Sequence, residues 1–230
     1  MIISHTHKFI FLKTSKTAGT SLEIAVSKYC GTDDIITPIS PVDEEIRRGL
    51  GFRTAQNFIV PLHRYSVRNW LDAFKKGGRL RFYNHMPAWE VRRIIGGAVW
   101  ESYYKFCFER SPWERFISMY YWRFKQEPRP TISEFMESGA LDILKQKGAG
   151  IYMINGRIAV DKIYRFEDRE EALEDIRERL GLPEALSLPK AKSGFRADRR
   201  PYHEILSSDE IQRIAEKFSD EISRFGYSSG

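Results

Sequence analysis

Lys16, Thr17, Gly19, Thr20 and Ser21 stand within FIFLKTSKTAGTSLEIAV (residues 9–26), at the joint between a hydrophobic run and a segment of helical periodicity. Every side chain of this loop that can hydrogen-bond can donate. A strand-to-helix turn also presents unpaired backbone N–H groups, and the helix dipole adds partial positive charge. Such a joint therefore suits a phosphate or sulfate. Lys16 supplies a point charge, and Gly19 lets the backbone approach an anion closely. On the residues alone, an ordinary capped helix start accounts for the loop equally well. A nucleotide-triphosphate loop does not fit, because that motif places its lysine directly after the second glycine, whereas Lys16 precedes Gly19.

A second joint occurs in KFCFERSPWERFISMYYW (residues 105–122). Arg110 follows an apolar run, and Ser118 lies two helical turns further on, roughly on the face of Ser111 and Arg115. A guanidinium fork and a hydroxyl can hold a second phosphate. Pairing of Arg110 and Arg115 with Glu109 and Glu114 on a solvated face is the competing explanation. Two anion sites at neighbouring strand ends suit a nucleotide phosphorylated at both ends.

The elements that must position these residues follow from the pattern. Phe9 to Leu12, Tyr103 to Phe108 and Val160 to Phe166 read as strands. Helices are expected after each. The first buries Leu22, Ala25, Val26 and Tyr29, with Gly31 as its C-cap. The second starts at Ser111, with Pro112 in its first position and Glu114 closing a capping box. The third runs from Glu170 to Leu180 and ends at Gly181. A last helix opens with a box from Ser207 to Glu210 and buries Ile211, Ile214, Ala215, Phe218, Ile222 and Phe225. Residues 32–61 are expected to be irregular or to hold short elements. Strands separated by helices imply parallel crossovers and an α/β layer architecture, with ligands at the carboxyl ends of the strands.

The bulk composition sets bounds. The 230 residues are 42% hydrophobic and carry a net charge of +6, which suggests an anionic partner. No apolar run reaches the length of a membrane span and no leader pattern stands at the start, so a cytoplasmic, soluble protein is expected. Cys30 and Cys107 lack the spacing of a zinc cluster or a disulfide framework.

KTAGTS followed by RSPWERFISMYY resembles the 5′-phosphosulfate loop and the 3′-phosphate motif of sulfotransferases that use 3′-phosphoadenosine 5′-phosphosulfate. The similarity is greatest to the carbohydrate-type branch, sulfotransferase family 2. YRFEDREEALEDIRERLGL and the terminal PYHEILSSDEIQRIAEKFSDEISRFGY resemble later segments of that family. The resemblance implies a P-loop-like three-layer α/β fold, with a central mostly parallel sheet flanked by helices and residues 1–230 forming a single sulfotransferase domain. It implies that Lys16 contacts the bridging region of the phosphosulfate and that Thr17, Ala18, Gly19, Thr20 and Ser21 cradle the 5′-phosphate. Arg110 and Ser118 would hold the 3′-phosphate, with Phe166 near adenine and Lys192, Ser193, Gly194 and Arg196 completing the 3′-phosphate site. Two residues depart from the family pattern. Ser15 replaces a proline, and Ala18 replaces a glycine, which is tolerable only with a negative φ.

The resemblance also makes His85, in RFYNHMPAWEVRRIIG (residues 81–96), the general base. His63 stands in reserve, and His5 and His7 carry little functional weight. The acceptor would be a hydroxyl or amine of a carbohydrate or small metabolite, and no metal is required. Arg64, Arg68, Arg79 and Arg81, or the aromatic Tyr65, Trp70, Tyr83 and Trp89, could meet it. The competing readings are a magnesium-dependent nucleotide kinase or NTPase and, third, a basic nucleic-acid-binding module, for which no motif is present.

Overall fold

The computed structural model describes residues 1–189, 198 and 200–228. In chain order, the first half contains β1 (Ile2–Ser4), β2 (Phe9–Phe11), α1 (Gly19–Ser27), β3 (Ile35–Ile36) and α2 (Pro41–Gly49). A 3-10 turn (Leu62–Arg64) then leads to α3 (Val67–Lys76), α4 (Ala88–Ile95), α5 (Gly97–Ser102) and β4 (Tyr104–Glu109). Next come α6 (Pro112–Arg123) and α7 (Ile132–Phe135), which passes through a π-turn into α8 (Leu141–Gln146). They are followed by α9 (Ala149–Tyr152), a hairpin of β5 (Met153–Ile154) and β6 (Arg157–Ile158), and β7 (Lys162–Arg165). The chain closes with α10 (Arg169–Arg179), α11 (Tyr202–Ile205), α12 (Ser208–Lys217) and α13 (Ser219–Phe225).

The main sheet has the order β3-β1-β2-β4-β7. β2, β4 and β7 pair in parallel, while β1 runs antiparallel to both β2 and β3. Four of the five strands thus point the same way, and the expected mixed α/β sheet with helices on its flanks is present. Residues alternate between its faces as a pleated strand requires. Phe9, Phe11, Phe106 and Phe108 pack against Leu22, Ala25 and Val26 of α1 and against Ala172 and Ile176 of α10. Ile3, Ile10, Leu12 and Cys107 face the other way, onto Val91 and Ile94 of α4 and Trp100 of α5. A third cluster joins Trp113, Phe116 and Ile117 of α6 to Phe135, Leu144, Ile214 and Phe218.

Several local expectations change. Gly31 is not a helix C-cap: α1 ends at Ser27, and the Gly31 N–H donates to Asp34 Oδ2 at 2.8 Å. Ser111 makes no side-chain cap. Its N–H instead donates to Glu167 Oε1 at 2.9 Å, and Glu114 pairs with Arg110 at 3.0 Å. The Ser207–Glu210 box is present, but Phe218 breaks the last helix into α12 and α13. Within residues 32–61 lies α2, a regular helix with Ser40 as N-cap, Pro41 in the first turn, acids at its start and Arg47 and Arg48 at its end.

Arg115 does not lie on a solvated face. It is fully buried, its guanidinium 2.6 Å from Glu109 Oε2 and donating to the Leu144 carbonyl at 3.0 Å. Burial raises the Glu109 carboxyl above the usual carboxylate range, and the Arg115 charge opposes that shift. Breaking a buried pair from one side leaves an uncompensated charge. Arg115→Met should therefore lower the unfolding free energy by about 3 kcal/mol in urea titrations near neutral pH. The deficit should shrink as pH falls, because Glu109 in the variant can take up a proton while folded.

Candidate functional site

β2, β4 and β7 end on one edge of the sheet, and their trailing residues are tied together there. The Thr14 hydroxyl donates to the Phe108 carbonyl, and the Phe166 N–H donates to the Glu109 carbonyl at 2.7 Å. Above this edge opens a cavity of about 480 Å³. Its walls include Lys16, Ala18, Gly19, Thr20, Ser21, His85, Arg110, Ser118 and Phe166, so residues far apart in sequence meet around one space. Thr17 is the exception within the loop. Its side chain turns inward, bonded to the Thr14 hydroxyl at 2.9 Å, and is not on the cavity wall. Lys192, Ser193, Gly194 and Arg196 lie outside the described residues.

The loop reaches its shape through two left-handed residues, Lys16 (φ 65°) and Ala18 (φ 56°). The expectation that Ala18 keeps a negative φ is therefore wrong. The chain must turn into α1 here, and Ala18 accepts the first helical bond from the Ser21 N–H at 3.0 Å while in that conformation. Gly19 is needed for space: a Cβ there would stand 2.9 Å from Lys13 Cγ, because the Lys13 stem lies across it. Lys13 then ends on Glu23 Oε2 at 2.8 Å. Glu23 is fully buried, also 2.8 Å from the Met1 amine and 3.6 Å from Arg47. Burial alone would raise its carboxyl, but the contacts with the Met1 amine, Lys13 and Arg47 outweigh it and lower the group, while the same burial pulls the Met1 amine itself down to about 5, so Lys13 and Arg47 are the lasting positive charges near pH 7.

Lys16 Nζ sits 5.1 Å from the Trp122 ring centroid, a cation–π contact that draws the side chain towards α6. Arg110 lies 4.8 Å from the Phe166 ring, whose other neighbour is Arg169 at 5.6 Å. Phe166 also borders a small apolar slot with Ala18, Leu22, Leu173 and Leu188.

His85 Nδ1 is 2.8 Å from the Lys13 carbonyl. A carbonyl only accepts, so Nδ1 carries the proton and Nε2 keeps its lone pair. Burial, helped by the Lys13 charge and opposed by that hydrogen bond, lowers the imidazole to about 4. The ring is therefore neutral near pH 7. His63 is exposed and does not line the cavity. His5 bonds to the Tyr103 hydroxyl and His7 to the Leu180 carbonyl, which are structural contacts. The acceptor-contact candidates Arg68, Arg79, Arg81, Tyr65, Trp70, Tyr83 and Trp89 are not on the cavity wall.

The sequence reading missed Lys13, Trp122, Arg123 and Lys147, all of which line the cavity. Trp122 was findable, since it lies four residues after Ser118 on the same helical face. Lys147 arrives from another element, and its carbonyl accepts the Ser15 N–H at 2.8 Å. A proline at position 15 could not make that bond. The described wall carries five cationic side chains (Lys13, Lys16, Arg110, Arg123 and Lys147) and no carboxylate.

The sequence model of the Sulfotransferase family matches residues 1–152. The chain belongs to the Sulfotransferase family. The matched span contains the loop of residues 16–21, His85, Arg110 and Ser118, whereas Phe166 falls beyond it. An uncharacterized protein of Archaeoglobus fulgidus is 34% identical to this sulfotransferase-family chain over 106 residues, 45% of this chain and 88% of that protein. No solved structure matches.

The two departures from the family loop should behave oppositely. Ala18→Gly relieves a left-handed alanine and should stabilise the protein by about 1 kcal/mol. Ser15→Pro removes the bond to Lys147 and should destabilise it by about 1 kcal/mol. Thermal unfolding of the two variants reads both signs.

Proposed function

We propose that the protein transfers a sulfuryl group from 3′-phosphoadenosine 5′-phosphosulfate to a hydroxyl, or an amine, of a carbohydrate or small metabolite. The observation that carries this reading is the cavity wall: five cations, no carboxylate, and a neutral imidazole with its Nε2 lone pair available. Those groups fit a donor with phosphate at both ends. A magnesium-bound triphosphate calls for carboxylate or hydroxyl oxygen ligands near the metal, so the absence of a carboxylate on the described wall favours the sulfuryl reading over a kinase of related fold.

The donor supplies the activated sulfuryl group, and the residues of this chain do the rest. The N–H groups at the start of α1 and the hydroxyls of Thr20 and Ser21 hold the 5′-phosphate. Arg110 and Ser118 hold the 3′-phosphate, and the Phe166 ring contacts the adenine. Lys16 neutralises charge that develops at the bridging oxygen, a role for a preorganised cation in a partly enclosed site. His85 accepts the acceptor's proton at Nε2 while the Lys13 carbonyl holds Nδ1–H and fixes the ring. Transfer in line then depends on positioning more than on covalent participation by the protein.

Calorimetry should find adenosine 3′,5′-bisphosphate binding more tightly than ATP without magnesium; equal or weaker binding would sink the assignment. Lys16→Ala should lower kcat by on the order of 10²–10³-fold with the fold intact. His85→Ala should lower it by about 10²–10⁴-fold while sparing affinity for adenosine 3′,5′-bisphosphate. The pH dependence follows from the depressed imidazole: the acid limb of kcat/KM should appear near pH 4, where His85 becomes protonated, and not near the 6.5 of free imidazole. An acid limb that persists unchanged in the residual activity of His85→Ala would remove His85 from the role.

A further inference from the structure

The helix α3 is inside out. Val67, Trp70, Leu71 and Phe74, spaced i, i+3, i+4 and i+7, form one apolar face, and that face is turned to solvent at 80%, 52%, 57% and 91% exposure. The inward side is polar: Asn69 is buried and accepts from the Arg93 guanidinium at 2.6 Å. The connection is fastened by Tyr65, whose hydroxyl accepts the Leu80 N–H at 2.6 Å and whose ring meets Trp70 edge-on at 5.2 Å. Beside the helix lies an apolar hollow of about 300 Å³ between Leu62, Trp70 and Phe74, with Arg79 on its wall.

The charge of this segment is as unusual as its apolar face. Residues 62–81 contain six Lys or Arg (Arg64, Arg68, Lys75, Lys76, Arg79 and Arg81) and one acid, Asp72. That is a net +5 out of the chain's +6, so the basic character assigned at first to the whole protein resides almost entirely here. Arg68, Lys75, Arg79 and Arg81 are exposed.

We propose that α3 is a peripheral membrane-binding element that lays Val67, Trp70, Leu71 and Phe74 into the surface of a bilayer rich in anionic phospholipid. An outward apolar stripe containing Trp and Phe, flanked by Lys and Arg, has the chemistry of an interfacial helix. The flanking cations match the negative surface potential of such a bilayer, with each basic residue adding to the attraction. A second copy of this chain is disfavoured as the occupant, since a symmetric contact would set +5 against +5. Surface attachment does not need a spanning segment, and no helix among the described residues is long and apolar enough to cross a membrane.

Flotation with vesicles of phosphatidylcholine, alone or mixed with phosphatidylglycerol, tests this. The protein should float with the mixed vesicles and not with phosphatidylcholine alone, and high salt should weaken the binding. Trp70→Ser with Phe74→Ser, and separately Arg68→Glu with Lys75→Glu, should each reduce binding by about tenfold or more. Both double variants should keep wild-type circular dichroism and affinity for adenosine 3′,5′-bisphosphate. Should either fail to fold, brominated phosphatidylglycerol provides the second readout: it should quench tryptophan emission in the wild type more than in Trp70→Phe. Absence of flotation, equal flotation with neutral vesicles, or a dimer that the Trp70 and Phe74 changes convert to monomer would each overturn the proposal.

Discussion

The ion pair between Lys13 and Glu23 ties together the parts of the site that come from different stretches of chain. Lys13 leaves the end of β2, crosses over Gly19 and reaches into α1 at Glu23, which lies one turn after that glycine. Its carbonyl, on the opposite side, holds His85. One residue thus sets the approach of the loop to the helix and the orientation of the imidazole. A carboxylate as buried as Glu23 would be costly alone. Arg47 joins Lys13 in compensating it and the Met1 amine lies 2.8 Å away, which brings α2 and the edge of the sheet to the same point.

Charge is distributed by the same logic on the other side of the cavity. Arg115 and Glu109 pair in the interior and stay off the cavity wall, whereas Arg110, paired with Glu114 and lying over the face of Phe166, reaches it. The cations that reach the cavity wall stand on three sides of it, from the loop after β2, from α6 and from Lys147. Two of these cations are already paired, Lys13 with Glu23 and Arg110 with Glu114, and both pairs fix where the charge sits on the wall. The family match spans residues 1–152, which include every lining residue of that cavity except Phe166.

The basic surface of α3 belongs to a different part of the molecule. Arg68 and Lys75 are absent from the cavity wall, and Trp70 and Phe74 are exposed. Net charge taken over the whole chain hides how unevenly it falls, since residues 62–81 carry a net +5 of the +6.

Sequence alone was enough for the strand-to-helix joints, because an apolar run followed by hydroxyls, a glycine and helical periodicity is a local signal. It also sufficed for the Ser207–Glu210 cap and for placing the two motifs at neighbouring strand ends, where they line one cavity. β1 and the regular helix α2 went unseen: a three-residue strand has almost no periodicity, and α2 buries little apolar surface to mark it. The left-handed conformation of Ala18 was also hidden, because a lone alanine gives no sign that the sheet edge and α1 will force it there. Only the tertiary structure decided that Arg115 is buried, that Thr17 turns inward, and that Lys13 and Lys147 face the cavity. Those outcomes depend on which distant side chain neutralises or covers each group. Local pattern reports the chemistry a residue can do, whereas burial and pairing across the sheet determine whether it meets a ligand.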